Sequence, residues 1–142
     1  SVPGKRLTPA DRALIEAARA VIRKRYAEGR HHIAAAVRTR SGKVYVGLHL
    51  DTYVGRASVC AEAGAVGAAL AAGDYDIAAV VSVRHPRARE ANQEIHVVSP
   101  CGVCREMLAD FAPGCSVIVE TQGKVSRVPV ADLLPNKYVR RP

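Results

Sequence analysis

At 142 residues with 49% hydrophobic content, the chain is long enough to bury a real core and too short for two ordinary domains, so residues 1–142 read as one globular unit. No apolar stretch approaches the roughly 18 uninterrupted residues of a membrane span, and no charged-then-apolar leader with a small-residue cleavage site is visible; a cytoplasmic location and no membrane partner are expected. The net charge of +8 raises nucleic acid as a partner, but the basic residues are scattered and their densest cluster, RKRYAEGRHH at 23–32, falls where cations suit the negative end of a helix dipole; a solvated basic surface is the expectation.

In chain order, Thr8 reads as an N-cap, followed by Pro9 at the first helical position, Asp11 three residues after the cap, and apolar residues at Leu14, Ala17, Ala18, Val21 and Ile22. This pattern predicts an amphipathic helix. HIAAAVRTRSGKVYVGLHL gives two β-type runs around Ser41-Gly42, a hairpin, and TYVGRAS follows as a loop turning at Gly55. Ser58 is the expected cap of a helix from about Cys60 to Ala72, stopped by Gly73. DIAAVVSVRH reads as a buried strand, His85 to Glu94 as an exposed loop, and IHVVSP as the lead into a second short helix, CGVCREMLADFA, ended by Pro113 and Gly114. SVIVE and KVSRVPV flank a turn at Gln122-Gly123, and ADLLP closes with a helical turn. Five strands and these helices predict an α/β fold with helices on a mixed five-stranded sheet.

Four cysteines allow two disulfides in a secreted chain, but a close Cys-x-x-Cys pair without a leader points to metal or redox chemistry. VCAEAG at 59–64 and PCGVC at 100–104 each lie where the chain enters a helix, and backbone N–H groups there stabilise thiolates. Cys101 and Cys104 share a helical face, and Cys60 can complete the set from the other helix. Three thiolates on one zinc leave a fourth position open, as catalytic sites require. Glu62, two residues after Cys60, is a poor addition to a thiolate site but is placed to move the protons of a water whose pKa zinc lowers towards about 7. The excess negative charge of three thiolates would be offset by the two helix N-termini and by Arg105. A structural zinc or an inert remnant of the fold is the competing reading. Cys60-x-Glu62 with Pro100-Cys101-x-x-Cys104 matches the three-cysteine form of the zinc deaminase signature.

The resemblance extends beyond the signature. HHIAAAVRTRSG, YVGRASVCAEA, VVSVRHP, VVSPCGVCREML and LLPNKYVR together resemble the cytidine deaminase family, and within it the bacterial blasticidin S branch. The resemblance implies a three-layer α/β/α fold, a homotetramer, one Zn2+ per chain and hydrolysis of a cytosine amino group to a keto group with ammonia release. It places Cys60, Cys101 and Cys104 on the zinc ligands and Glu62 on the proton-shuttling acid. Ordinary cytidine deaminases hold the ribose with an Asn and a Glu upstream of the first ligand, where this chain has His49 and Asp51. The blasticidin branch also contacts substrate through a C-terminal Tyr and a residue just before the first strand, positions held here by Tyr138 and His32. Ala63 stands where tetrameric cytidine deaminases usually carry an Arg, which adds weight to Arg105.

Each substrate residue has a plainer reading: a polar turn for His31 and His32, a mutual hydrogen bond for His49 and Asp51 on one strand face, a packed ring for Tyr138. Cys115 reads as a small buried hydrophobe, and His85 and His96 as surface residues. The expected partner is a small pyrimidine nucleoside or analogue, blasticidin S first, then cytidine or another aminated heterocycle. A zinc-stapled nucleic-acid module is the alternative. One Phe, five Tyr and no Trp offer little for base stacking, which disfavours both that module and a polynucleotide editor.

Overall fold

The structure, a computed structural model, describes residues 2–142. The first helix, α1, spans Pro9–Arg25 and begins as the sequence predicts. The Asp11 N–H donates to the Thr8 hydroxyl at 3.1 Å, and the Thr8 N–H donates back to the Asp11 carboxylate at 2.9 Å. Its apolar stripe of Leu14, Ile15, Ala18 and Ile22 is buried.

The strands are β1 (Ile33–Thr39), β2 (Val44–Leu48), β3 (Ile77–Arg84), β4 (His96–Val98), β5 (Ser116–Thr121) and β6 (Lys124–Pro129). Helix α2 (Ala61–Ala71) precedes β3, and α3 (Gly102–Phe111) lies between β4 and β5. The sheet runs β2-β1-β3-β5-β6, with β4 paired to β3 off that path. Only β3 and β5 pair in parallel, so the sheet is mixed. It has six strands where the sequence reading gave five. The extra strand is the three-residue β4, too short for an alternating pattern to announce it. β5 pairs with β3 at Ala79 and Val80, whereas β4 takes Ser82, Val83 and Arg84 further along the same edge. Two short strands thus share one side of an eight-residue one, and the sheet stays five positions wide.

Alternation along the central strands supplies both faces. Ala34 and Ala36 of β1 join Val81, Val83, Ile118 and the stripe of α1, while Ala35 and Val37 join Ala65, Val66, Leu108 and Val117 beneath α2 and α3. The result is the α/β/α sandwich, with α1 on one side and α2 and α3 on the other. Small residues let α2 sit against the sheet: a Cβ at Gly47 of β2 would collide with the backbone of Ala61 and Ala65. That close approach fixes the depth of the helix turn carrying Glu62.

Turn chemistry follows the residue types. Gly42 at φ 90° closes the first hairpin, Gln122 and Gly123 at φ 51° and 80° close the last, and Gly73 at φ 77° ends α2. Ser58 does not cap α2. Cys60 holds the N-cap position, with no side-chain cap, and the Ser58 hydroxyl instead accepts the Thr52 N–H at 3.1 Å. Gly55 opens a 3-10 turn, Gly55–Ala57, and does not adopt a left-handed conformation. No helix among the described residues is long and apolar enough to cross a membrane.

Candidate active site

The N-termini of α2 and α3 meet at the end of the sheet. Cys60 and Cys101 are their N-cap residues, and neither helix has a side-chain cap. Their first N–H groups are therefore left for whatever lies between them. Among the described residues, Cys60, Cys101 and Cys104 form the metal-ligand cluster, with sulfur atoms all within 4.8 Å of one another. The Cys60 and Cys101 sulfurs are 3.5 Å apart, and all four cysteines are free thiols. Tetrahedral zinc with ~2.3 Å bonds to sulfur places its ligands about 3.8 Å apart, whereas a disulfide closes to about 2 Å. The donor set fits one zinc.

The thiols also show the electrostatic need for a cation. Burial, with the neighbouring Cys101 sulfur next, pushes the Cys60 thiol up. Burial and the Glu62 charge push Cys104 far above the ordinary thiol range. At Cys101 burial again opposes ionisation, but hydrogen bonds from the Cys104 backbone, the Cys60 and Cys104 thiols and the Val103 backbone outweigh it and bring the thiol down. Crowded sulfurs of this kind ionise together only against positive charge. Cys115, 1% exposed, lies in the core beneath α2 and α3, where burial raises its thiol to about 11; it is the buried hydrophobe expected.

Beside the thiols is a cavity of about 220 Å³ lined by Ile33, His49, Cys60, Ala61, Glu62, Ser82, Val98, Ser99 and Cys101. It is smaller than the ~300–1,000 Å³ of sites for drug-sized ligands, so it suits one ring with the remainder of a substrate at the mouth. Glu62 is 5% exposed and lies in the first turn of α2. Its carboxylate faces the cavity, next to the thiols. Ile33, Ser82, Val98 and Ser99 were not singled out from sequence; the signal available was Ser82, a lone hydroxyl inside the apolar run AAVVSV.

Of the expected substrate residues, His49 alone lines the cavity. It lies just past β2, its N–H donating to the Ile33 carbonyl at 2.9 Å, and its buried Nδ1 has no partner. His32 is 6% exposed and bonds the turn that links α1 to β1. Its Nε2 accepts the Gly29 N–H at 2.9 Å, which leaves the proton on Nδ1, also unpartnered. The two rings are 6.3 Å apart. Burial, then the Arg87 guanidinium, lowers the His32 pKa. His49 and Asp51 do not share a strand face, because β2 ends at Leu48, and no hydrogen bond joins them. Asp51 is half-buried, with its N–H on the Arg30 carbonyl at 2.9 Å. His85 stacks on Tyr26 with ring centres 3.8 Å apart, so it is not the free surface residue expected, while His96 is exposed.

Arg105 does not reach the sulfurs by hydrogen bond. Its Nε donates to the Pro100 carbonyl at 2.9 Å and its guanidinium to the Leu133 carbonyl at 3.3 Å, which braces the loop before Cys101. Tyr138 is 77% exposed and lines an open hollow with Glu106, Asp110 and Phe111 near the far end of α3. Ten residues of helix separate Cys101 from that end, about 15 Å.

Residues 8–121 match the family model for the cytidine and deoxycytidylate deaminase zinc-binding region. The chain belongs to the cytidine and deoxycytidylate deaminase family. It is a zinc-dependent hydrolase of carbon–nitrogen bonds. Among its relatives, the blasticidin-S deaminase of Bacillus cereus is 43% identical over 130 residues, 92% of this chain and 93% of that protein. The cytidine deaminase of Burkholderia pseudomallei superposes with a TM-score of 0.71 at 33% identity, covering 93% of this chain and 100% of that one. The cytidine deaminase of Bacillus anthracis gives 0.74 at 25% identity, covering 89% and 88%. The two solved structures share the overall fold of this chain.

Proposed function

We propose that this chain, acting as one deaminase domain over residues 1–142, hydrolyses the exocyclic amine of a cytosine-type nucleoside, with blasticidin S as its substrate. The observation that carries the chemistry is a buried carboxylate, Glu62, facing a ring-sized cavity beside three convergent thiols. Cys60, Cys101 and Cys104 would hold one zinc, which supplies Lewis acidity that makes a water acidic near neutral pH. Glu62 takes a proton from the attacking water, delivers it to the ring nitrogen, and carries a second proton to the departing amine. Water and the aminated ring thereby become the keto ring and ammonia. Val98 and Ile33 give the ring apolar walls and limit water.

The choice of blasticidin S over cytidine is supported by the 43% identity to the Bacillus cereus enzyme and by His49 and Asp51, which replace the Asn and Glu expected of a ribose site. His49 at the cavity wall, with His32 and Asp51 behind it, would hold the substrate's far end. Tyr138 lies near the far end of α3 and does not line the cavity of its own chain. A substrate role for it is consistent with a homotetramer in which the tail serves another copy's site. A cytoplasmic location agrees with free thiols at a metal site.

The test is a substrate panel of blasticidin S, cytidine, deoxycytidine and cytosine, followed by absorbance change and ammonia release. The highest kcat/KM is expected for blasticidin S; a preference for cytidine would overturn the substrate assignment and leave the deaminase chemistry standing.

A further inference from the structure

Cys101 is exposed, the N-cap of its helix, and lies in a loop entered from a strand of only three residues. Apart from the neighbouring sulfurs, a thiol this open to solvent is positioned chiefly by its backbone. One side chain ties that backbone to the sheet. The Ser99 hydroxyl donates to the Glu120 carbonyl at 3.0 Å and accepts the Glu120 N–H at 3.1 Å.

Those two Glu120 groups face away from β6. Along an antiparallel pair the N–H and C=O of successive residues point to alternate sides, and the β3–β5 ladder ends at Val117, three residues short of Glu120. No strand remains to satisfy them. One hydroxyl fills both roles and acts as the missing rung between β5 and the loop that carries Cys101. Ser99 also lines the cavity, so the rung lies within the site's own wall.

We propose that Ser99 is a positioning residue for the metal centre: by clamping Glu120 it holds the Ser99-Pro100-Cys101 backbone, and with it the Cys101 sulfur, in register with Cys60 and Cys104. This rests on the three-cysteine zinc reading above. Nothing in the zinc deaminase signature requires a hydroxyl at this place; the need arises from the gap that the short β4 leaves beside β5.

The test measures zinc release from purified holoprotein into excess chromogenic chelator, together with Tm. Ser99→Ala should speed release on the order of 10-fold, the lower end of what outer-sphere partners of metal ligands contribute. Ser99→Thr, which keeps the hydroxyl, should restore wild-type release. Thr39→Val removes another hydroxyl that bridges two elements, the Thr39–Asp74 bond of 2.7 Å, far from the thiols. It should lower Tm without changing release. If Ser99→Ala releases zinc within twofold of wild type, or no faster than Thr39→Val, Ser99 is merely a structural hydroxyl and the proposal fails. Should Ser99→Ala not fold, hydrogen exchange on the wild-type protein decides, because coupling is reciprocal: protection of the Glu120 amide should fall when zinc is removed, and unchanged protection overturns the proposal. Wild-type protein that purifies without zinc would instead refute the underlying zinc reading.

Discussion

Glu62→Gln separates the chemistry of the site from its architecture. Glutamine keeps the size of the side chain and can hydrogen-bond a water, but it carries no proton between water, ring and amine. Loss of general acid–base catalysis costs at least about 10²-fold, about 2.7 kcal/mol of transition-state stabilisation. Stability should respond differently. Glu62 is 5% exposed and lies in the first turn of α2, where the helix dipole favours its charge by about 0.3–2 kcal/mol and burial opposes it. The amide gives up both effects, so they cancel in large part and Tm should move by only a few degrees. Zinc content should remain at one per chain, since no thiol is altered. The assay is kcat/KM from absorbance change with coupled ammonia detection, beside metal analysis and thermal unfolding of the same preparation. A glutamate with no part in the chemistry would leave kcat/KM near the wild-type value, whatever the change did to Tm. Near-wild-type turnover with full zinc would refute the role assigned to Glu62.

Cys101→Ala and Cys104→Ala should each abolish zinc retention in metal analysis after dialysis, and Cys104→Ala should lower Tm further, because Cys104 is 1% exposed and Cys101 is exposed; wild-type activity after complete zinc removal would refute the metal's role. Binding to single-stranded oligonucleotides, followed by fluorescence anisotropy, should be weak and collapse between about 50 and 200 mM salt as phosphate contacts do; sequence-selective binding at physiological salt would favour a nucleic-acid module. Glu90, bonded to Arg84 at 2.7 and 3.0 Å and next to the Arg87 N–H, has its carboxyl lowered from 4.5 to about 2. A depressed folded-state pKa contributes stability that is complete above 4.5 and is lost as pH falls towards about 2. Tm measured across that window should fall less steeply in Glu90→Gln than in wild type, and identical slopes would show that the pair contributes nothing.

The elements that the sequence announced are those set by local chemistry. Thr8, Pro9 and Asp11 carry a whole helix start within four residues, and glycines at positive φ mark the turns that were read from them. The misreadings share a different cause, which is competition from partners outside the motif itself. Ser58 looks like a cap, but its hydroxyl is taken by Thr52 and the cysteine two residues later becomes the N-cap. β4 exists because β5 leaves part of β3 unpaired, a vacancy visible only once the strand order is known. Nothing in HH at a helix-to-strand junction reveals that the His32 ring, which bonds the turn at Gly29, is also buried against Tyr26.

The same distinction governs what the site reveals about reaction and substrate. The reacting end of the cavity is assembled from two compact motifs, Cys60-x-Glu62 and Cys101-x-x-Cys104, each fixed by the start of one helix. Their internal spacing sets most of their geometry, and the fold has only to bring two helix ends together. His49, just past β2, lines the other end, and His32, before β1, lies near it. The cavity itself suits one ring, so under the proposed function discrimination among aminated pyrimidines would fall to these separated residues. His32 and His49 keep buried, unpartnered Nδ1 atoms within a ring separation of 6.3 Å. Buried polar atoms without partners are costly, and a substrate that supplies partners recovers that cost while one that cannot leaves it unpaid. Under the proposed function, substrate choice would therefore rest on polar groups whose burial no local pattern encodes.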